Sequence, residues 1–196
     1  MSLRIYGNRL LKTLPGQQTR PTPARVREAL FNIWQGNVSG CRWLDLCAGA
    51  GSMSAEALCR GADQVVAIEK WGRACAMIRQ NLETVASDEQ SFEILRGDVV
   101  KQLNRLSGRQ FDRIYFDPPY ASDLYQPVIE AIAHLSSLSD PVSLLSPDGE
   151  LAVEHDRDRP PHVGTTDDDP EQPSLEICRQ KVYGHTAVTF YRLVRE

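Results

Sequence analysis

Four consecutive residues, Asp117-Pro118-Pro119-Tyr120, offer groups that could hold an amine attached to a planar ring. The two prolines remove two backbone donors and fix φ at about −65°, so the segment is a stiff loop and not a helical turn or a central strand. The loop presents acceptors in the Asp117 carboxylate and the Pro118 carbonyl, and a flat aromatic face in Tyr120. A tight strand-to-helix turn, in which Asp117 bonds to the backbone and Tyr120 packs, explains the same residues equally well.

Acidic residues near the ends of three other apolar runs could line a cofactor pocket. Asp45 precedes a glycine loop at residues 48–52, and Glu69 follows Gly49 by twenty residues, the separation at which an acid reaches the hydroxyls of a ribose. Asp98 can accept a hydrogen bond from the exocyclic amine of adenine. The residues predicted to bind an adenosine-bearing cofactor are Asp45, Gly49, Gly51, Glu69, Asp98 and Val99.

Two cofactors compete for this predicted pocket. A nicotinamide dinucleotide needs three spaced glycines to bring its pyrophosphate to a helix N-terminus, but the third position is Ser54. S-adenosylmethionine has no phosphate, and its cationic amino acid end makes an acid before the loop favourable. The order Asp-x-x-x-Gly-x-Gly therefore favours S-adenosylmethionine. For each acid alone, a helix cap or a turn is the simpler interpretation.

Alternating strand and helix patterns position these residues. Strands are predicted at 41–47, 65–68, 92–95, 111–116 and 150–154, with helical patterns between them. Two further runs, 175–183 and 186–194, predict an antiparallel hairpin around Gly184. The order predicts an α/β fold, a Rossmann-like, doubly wound, mainly parallel sheet with a C-terminal antiparallel hairpin. Ligands of such sheets bind beyond the carboxyl ends of the strands, where the acids and the Asp117 loop are expected.

The N-terminal residues predict an extension ahead of the sheet. Residues 4–15 are typical of a hairpin-like arm around Gly7-Asn8 or of an irregular extended segment. Thr22 is predicted to cap a helix that has Pro23 at its first position. The apolar stripe of this helix, off which Arg25 and Arg27 lie, is Val26, Leu30, Ile33 and Trp34. The chain is thus predicted to contain an arm and helix at 1–36 and a main domain at 37–196.

Charge is unevenly distributed along the chain. The net charge is −4, yet residues 1–44 hold seven cations and one acid, and residues 148–171 hold nine acids and two cations. The N-terminal end could therefore meet a polyanion, although a solvated charged face without a partner is the commoner explanation of such a run. The residues predicted to contact phosphates are Arg4, Arg9, Lys12, Arg20, Arg25 and Arg27.

Composition argues against several other classes of protein. The five cysteines form no C-x-x-C pair and are odd in number, so neither a disulfide framework nor a metal site is predicted. No apolar run is long enough for a membrane helix, and the basic N-terminus lacks the apolar core of a signal peptide. We expect a cytoplasmic protein without membrane attachment, and a monomer because no coiled-coil pattern is present.

Several motifs together resemble a known family. Asp45-Leu46-Cys47-Ala48-Gly49-Ala50-Gly51 and Asp117-Pro118-Pro119-Tyr120 resemble those of class I, S-adenosylmethionine-dependent amino methyltransferases. Four more motifs are similar to the bacterial RsmD family: Arg20-Pro21-Thr22, Val26-Arg27-Glu28-Ala29-Leu30-Phe31-Asn32-Ile33, Glu56-Ala57-Leu58 and Arg60-Gly61-Ala62. The resemblance covers nearly the whole chain. It departs at Ser54, where the family commonly has glycine, and in the long acidic segment 155–173.

The resemblance implies an enzyme that methylates the N2 amine of a guanine in 16S ribosomal RNA, within the small ribosomal subunit or its assembly intermediate. In that role Asp117 and the Pro118 carbonyl accept the two amine hydrogens, Tyr120 stacks on the base, and the basic residues hold RNA phosphates. Two alternatives stay open. One is an amino methyltransferase that acts on DNA adenine or cytosine or on another RNA, and the other is a cofactor-binding module that binds ribosomal RNA without turnover.

Overall fold

Strands and helices alternate through most of the chain in a computed structural model of the protein. Its contacts group into two compact units, Met1–Asp98 and Val99–Glu196. The division predicted after residue 36 falls inside the first unit and stays a prediction. The structure describes residues 2–13, 23–136, 142–161 and 175–194.

The first unit carries a parallel sheet and the N-terminal arm. Its strands are β1 (Ser2–Ile5), β2 (Arg9–Lys12), β3 (Arg42–Leu46), β4 (Gln64–Glu69) and β5 (Ser91–Arg96). Its helices are α1 (Ala24–Ile33), α2 (Ser52–Cys59) and α3 (Gly72–Val85). β3, β4 and β5 pair in parallel in the order β5-β4-β3. The alternation of strands and helices predicted for this half of the chain is confirmed.

Burial in β4 and α3 of the first unit follows the apolar pattern of the sequence, with one departure in α3. Residues 65–68 of β4 are all 0% exposed, and such a continuous apolar run is typical of a parallel strand covered on both faces. Helical spacing predicts Met77 in the apolar stripe of α3, but this side chain is only half-buried and the polar Asn81 is buried instead. The buried residues of α3 are Ala74, Ile78, Asn81, Leu82 and Val85.

The N-terminal arm is an antiparallel hairpin. β1 pairs with β2 across the tight turn Tyr6–Asn8, with Ser2 opposite Lys12. Gly7 and Asn8 have φ of 70° and 62°, in the left-handed region that glycine and asparagine adopt most readily. The hairpin predicted around these two residues is confirmed.

The helix after the arm differs from the prediction in its start and in its buried face. α1 begins at Ala24, with Pro23 at its N-cap, and the predicted cap Thr22 lies outside the described residues. The buried residues of α1 are Val26, Arg27, Leu30 and Phe31. The prediction that Arg27 lies off the buried stripe is therefore wrong.

The second unit contains the remaining strands and helices that the structure describes. They are α4 (Val99–Asn104), β6 (Phe111–Phe116), α5 (Tyr125–Leu135), β7 (Leu145–Asp156), β8 (Leu175–Tyr183) and β9 (Thr186–Leu193). β6 and β7 pair in parallel, whereas β9 pairs antiparallel with both β7 and β8. The predicted C-terminal hairpin, formed by β8 and β9, is confirmed.

β7 begins at Leu145, five residues before the strand predicted at 150–154. The intervening Ser-Pro-Asp-Gly has the composition of a turn, which hides the start of the strand. Pairing with β6 shifts register in this stretch. A Cβ on Gly149 would lie 2.7 Å from Cδ1 of Leu145 and 2.8 Å from the carbonyl oxygen of Ser146, so the irregularity requires glycine.

The α/β fold class predicted from the sequence is confirmed, including the antiparallel addition at the C-terminal end. Because β7 continues through Asp156, the acidic loop predicted at 155–173 starts later than expected, and residues 162–174 lie outside the described part. Within the ranges that the structure describes, no helix is long and apolar enough to cross a bilayer.

Candidate active site

The glycine loop after β3 has a strained backbone that only certain residues adopt. Cys47, Gly49 and Gly51 have φ of 63°, 58° and 76°. A Cβ on Gly51 would lie 3.1 Å from Cγ2 of Ile78, so this glycine lets α3 approach the loop closely. A Cβ on Gly49 would meet nothing within 4 Å. Of the two glycines predicted to admit a ligand, Gly49 therefore has open space beside it.

Asp45 is buried and joined to the first turn of α2. Its side chain is 1% exposed, and Oδ2 accepts hydrogen bonds from the Ser54 backbone N–H at 3.1 Å and from the Ser54 hydroxyl at 2.5 Å. Burial raises the pKa of Asp45 from 3.8 to about 7, although the two bonds from Ser54 act in the opposite direction. Asp45 thus stabilises the start of α2, and its predicted contribution to cofactor binding stays a prediction.

Glu69 ends β4 with its carboxylate bonded to the glycine loop. Oε2 accepts from the Gly49 backbone N–H at 2.9 Å, and Oε1 accepts from the Trp71 backbone N–H at 2.9 Å. Each carboxylate oxygen keeps a lone pair that can accept from a ribose hydroxyl. A pyrophosphate, in contrast, would meet a carboxylate at the Gly49 N–H that it needs as a donor. This arrangement fits S-adenosylmethionine better than a dinucleotide.

Asp98 follows the end of β5, the strand that pairs in parallel with β4. The Gly97 backbone N–H donates to the carbonyl of Glu69 at 3.0 Å, which fixes the chain just before Asp98. Asp98 is partly exposed, whereas Val99 is 5% exposed at the start of α4. Backbone and carboxylate bonds thus connect Gly49, Glu69 and Gly97, the residue before Asp98, and the predicted adenosine pocket stays a prediction.

The Asp-Pro-Pro-Tyr loop follows β6 in the second unit. Asp117 and Tyr120 are partly exposed, Pro118 is buried and Pro119 is exposed. The Ser122 backbone N–H donates to the Pro119 carbonyl at 2.8 Å and closes a turn. The loop predicted from the two prolines is therefore present between β6 and α5.

Glu154 of β7 holds the Tyr120 side chain of this loop. The Tyr120 hydroxyl donates to Oε1 of Glu154 at 3.0 Å, and the Tyr115 hydroxyl donates to Oε2 at 2.6 Å. The Thr186 hydroxyl lies 2.8 Å from the Tyr120 oxygen and acts as the donor, since the phenol hydrogen is already used. Burial raises the pKa of Glu154, and the tyrosine bonds lower it in part.

Tyr125, the first residue of α5, forms a further hydrogen bond to β7. Its hydroxyl donates to the backbone carbonyl of Glu154 at 3.2 Å, and its ring contacts Phe116 edge to face at 5.8 Å between centroids. Burial raises the pKa of both Tyr120 and Tyr125, so both phenols are neutral donors. Sequence reasoning missed the roles of Glu154, Tyr125 and Thr186, although Glu154 near the end of an apolar run carries the same signal as Glu69.

The residues predicted to contact phosphates lie in different environments. Arg4 bonds to Asn8, and Arg9 donates to the Val85 carbonyl at 3.0 Å, yet both side chains are largely exposed. Lys12 and Arg25 are exposed as well. Arg20 lies outside the described residues. Four of the six predicted cations are thus accessible to a polyanion.

Arg27 is not accessible. It is 1% exposed, and its Nε donates to Oε2 of the equally buried Glu56 at 2.6 Å. Its Nη2 donates to the Arg4 carbonyl at 2.8 Å, and Arg60 pairs with the other oxygen of Glu56 at 2.8 Å. A buried guanidinium persists because it is paired in this way. The predicted phosphate contact of Arg27 is therefore wrong, and its role is structural.

The glycine loop, the acids after the strands and the Asp-Pro-Pro-Tyr loop, carried on this α/β fold, define a class I methyltransferase. S-adenosylmethionine is the cofactor that this class and the donor set of the first unit support. The chain belongs to the family described as Conserved hypothetical protein 95, the RsmD family, whose model matches residues 3–192. The family resemblance inferred from the motifs is confirmed.

Two relatives agree with this membership, and a solved structure shares the fold. The chain is 31% identical over 188 residues to the putative rRNA methyltransferase YlbH of Bacillus subtilis. The matched segment covers 94% of this chain and 93% of that protein. It is 29% identical over 157 residues to ribosomal RNA small subunit methyltransferase D of Haemophilus influenzae, covering 80% and 78%. The putative methyltransferase yhhF of Escherichia coli shares the fold, with 24% identity, a TM-score of 0.77 and all of both chains covered.

Proposed function

We propose that this chain transfers a methyl group from S-adenosylmethionine to the exocyclic N2 amine of a guanine in small-subunit (16S) ribosomal RNA. The observation that carries the proposal is the fixed Tyr120 ring, whose hydroxyl donates to Glu154 and accepts from Thr186, in the same stiff loop as Asp117 and Pro118. A fixed aromatic face and two acceptors in one loop suit a base with an exocyclic amine. The name of the Haemophilus relative supports ribosomal RNA as the polymer.

Asp117 and Pro118 act by positioning the amine. The N2 lone pair of guanine is delocalised into the ring, so this nitrogen is a poor nucleophile until its geometry changes. Two acceptors that take both amine hydrogens orient the nitrogen and favour its pyramidal form. Fixed geometry of this kind corresponds to an effective molarity on the order of 10⁵ M or more, to which electrostatic stabilisation adds.

The acids of the first unit hold the cofactor in this proposal. S-adenosylmethionine supplies an electrophilic methyl group on a sulfonium sulfur, and in-line displacement by the amine releases the thioether. Glu69 accepts from the ribose hydroxyls, Asp98 accepts from the adenine amine, and Asp45 contributes negative charge towards the cationic amino acid end. No strong base is needed, because a methylated nitrogen is highly acidic while it is cationic and Asp117 already holds its hydrogen.

The basic arm supplies affinity for RNA without reading its sequence. Arg4, Arg9, Lys12 and Arg25 are exposed and contact phosphates in this proposal, whereas the predicted contribution of Arg20 rests on the family motif. The target guanine leaves its stack to reach Tyr120, at a cost of roughly a few kcal/mol that is smaller in a loop. We propose that the protein acts as a monomer on the small subunit or its assembly intermediate.

The decisive experiment offers labelled S-adenosylmethionine with assembled small subunits, naked 16S ribosomal RNA and double-stranded DNA. Mass spectrometry of the digested nucleosides then identifies the product. We expect N2-methylguanosine from one of the RNA substrates and no product from DNA. Methyladenine or methylcytosine as the product would support the alternative amino methyltransferase, and binding of RNA and cofactor without any product would support the non-catalytic module.

A pair of variants tests the acceptor role of Asp117. Asp117→Ala is expected to lower kcat by 100-fold or more, on the order of the effect of removing one well-placed catalytic group, while the affinity for S-adenosylhomocysteine is unchanged. Asp123→Ala, an exposed aspartate six residues further along the same loop, is the matched control. Full activity of Asp117→Ala would show that the amine is held by other groups.

A further inference from the structure

The buried side chain of Asn81 joins the N-terminal arm to the glycine loop. Its Oδ1 accepts from the backbone N–H of Lys12 at 2.9 Å. Its Nδ2 donates to the Lys12 carbonyl at 3.0 Å and to the Ala50 carbonyl at 2.9 Å. Asn81 is 3% exposed, so its own amide group is largely removed from water. One amide thus uses its oxygen and both N–H groups to hold β2 and the loop at a single point.

The loop segment that Asn81 contacts is fixed on both sides. Gly51 lies so close to α3 that a Cβ there would be 3.1 Å from Ile78, one turn before Asn81 on the same helix. The Gly49 N–H is bonded to Glu69. The Ala50 carbonyl between the two glycines is therefore held by Asn81, and a displacement of Asn81 would move the backbone of the predicted cofactor loop.

The arm segment that Asn81 contacts carries an exposed cation. The backbone N–H and carbonyl of Lys12 are both bonded to Asn81, whereas the ammonium group points to the surface, 3.5 Å from Oε1 of Gln80. Arg9, three residues earlier on β2, donates to the Val85 carbonyl at the end of α3. A ligand bound to these cations would therefore contact the strand whose backbone is bonded to Asn81.

We propose that Asn81 is a positioning residue that couples RNA binding by the arm to cofactor binding by the glycine loop. The proposal rests on the proposed function, in which the arm contacts RNA phosphates and the loop binds S-adenosylmethionine. A phosphate at Lys12 orders β2, β2 keeps the Asn81 amide aligned with the Ala50 carbonyl, and the loop keeps its binding geometry. By linkage, the cofactor raises RNA affinity by the same factor.

The test measures the dissociation constant of radiolabelled S-adenosylhomocysteine with and without saturating small ribosomal subunits that lack the methyl group. We expect the subunits to tighten binding to the wild-type chain by about 5-fold or more. In Asn81→Ala and Asn81→Asp, the ratio of the dissociation constant without subunits to that with subunits falls to about one. Asn81→Asp keeps the size of the side chain and the acceptor for the Lys12 N–H, but it sets a second carboxylate oxygen against two carbonyls.

The control variant is Thr84→Ala, an exposed residue of α3 whose hydroxyl bonds within the helix to Gln80, and it should keep the wild-type ratio. A purely structural Asn81 would weaken S-adenosylhomocysteine binding equally with and without subunits, and an unchanged ratio in Asn81→Asp overturns the coupling. Melting curves show whether each variant folds, and if Asn81→Ala does not, the isosteric Asn81→Asp decides.

Failure of the coupling can be told apart from failure of the proposed function. The nucleosides made by the wild-type chain are identified in parallel. Formation of N2-methylguanosine together with a wild-type ratio in Asn81→Asp, or with a ratio of one in the wild type, overturns the coupling alone. A wild-type chain that does not bind the small subunit overturns both proposals.

Discussion

The hydroxyl of Tyr120 lies 3.0 Å from Oε1 of Glu154, a buried carboxylate whose other oxygen accepts from Tyr115. Tyr120 belongs to a loop and Glu154 to a strand 34 residues further along the chain. The rigid strand therefore fixes the angle of a ring that is expected to stack on a base. A side chain locked by packing and hydrogen bonds loses less conformational entropy when a ligand arrives.

Replacement of Glu154 by glutamine should lower kcat by roughly 10- to 100-fold, the scale of a misplacement of about 1 Å at a reacting group. The glutamine oxygen can accept from only one of the two phenols and is uncharged, so Tyr120 either faces the N–H₂ group or donates to a weaker acceptor, and its ring is held less firmly. Tyr115→Phe removes a bond to the same carboxylate but leaves Tyr120 bonded, and its effect on kcat should be several-fold smaller. Single-turnover rates on small subunits provide the measurement. A wild-type rate in Glu154→Gln would show that Tyr120 needs no fixed position.

The raised pKa of Asp45 predicts a pH-dependent difference in stability between the wild type and Asp45→Asn. The pKa rises from 3.8 to about 7 in the folded chain, so the folded state binds more protons between these values. The stability that the neutral group provides is complete below pH 3.8 and is lost as pH rises through 7. Asparagine is always neutral. The melting temperature of Asp45→Asn should therefore exceed that of the wild type at pH 8, and the difference between the two should be smaller at pH 5.

Asp45→Asn should also bind S-adenosylhomocysteine more weakly, because it lacks the negative charge proposed to face the cationic amino acid end. Isothermal titration at pH 8 measures this loss. Asp63→Asn, at an exposed position of the same unit, is the control for both measurements. A melting difference that is the same at every pH would mean that Asp45 titrates normally in the folded chain.

Removal of Arg27 should destabilise the fold without a specific effect on RNA binding. Arg27→Met leaves the buried Glu56 with Arg60 as its remaining partner, and loss of one member of a buried pair costs about 3–5 kcal/mol of unfolding free energy. Arg25→Met, at an exposed position of the same helix, should change it by about 0.5 kcal/mol or less. Urea unfolding curves give both values. Equal stability of the two variants would contradict the structural role of Arg27.

Arg25 should instead affect the salt dependence of RNA binding. Arg25→Gln is expected to reduce the slope of log K against log salt concentration by roughly 0.7 to 0.9, the value for one lost phosphate contact. Lys181→Gln, an exposed lysine on β8 that carries the same charge, is the control and should leave the slope unchanged. Filter binding of 16S ribosomal RNA at several salt concentrations measures both slopes. A reduced slope in Lys181→Gln alone would place the phosphate contact on β8 and not on α1.

Local sequence patterns predicted much of the fold and the position of several candidate site residues along the chain. The prolines after Phe116 define a loop whatever surrounds them, and the continuous apolar run of β4 could be a buried strand without knowledge of its neighbours. Glu69 beside the glycine loop follows from the rule that ligands bind beyond the carboxyl ends of parallel strands. These features depend on residues adjacent in the sequence or on a general property of parallel sheets, and not on partners far along the chain.

Pairs of residues far apart in the sequence were not predictable in this way. Helical spacing places the polar Arg27 off the apolar stripe of its helix. It cannot show that Glu56, 29 residues away, is buried beside it. Glu154 and Tyr120 present the same problem across 34 residues. Asn81 is a polar residue whose burial depends on the arm docking against α3. In each case a tertiary partner outweighs the solvation preference that the sequence reveals.

The two glycines of the cofactor loop should tolerate mutation very differently. Gly49 has φ of 58° and open space beside it, so asparagine or aspartate, which adopt the left-handed region, can replace it without loss of the fold. Gly51 has φ of 76° and also lies against Ile78, so no side chain satisfies both demands there unless α3 moves. Among sequences that drift while retaining this fold, position 51 should remain invariant, whereas exchange at position 49 should be limited chiefly by the need to bind the cofactor.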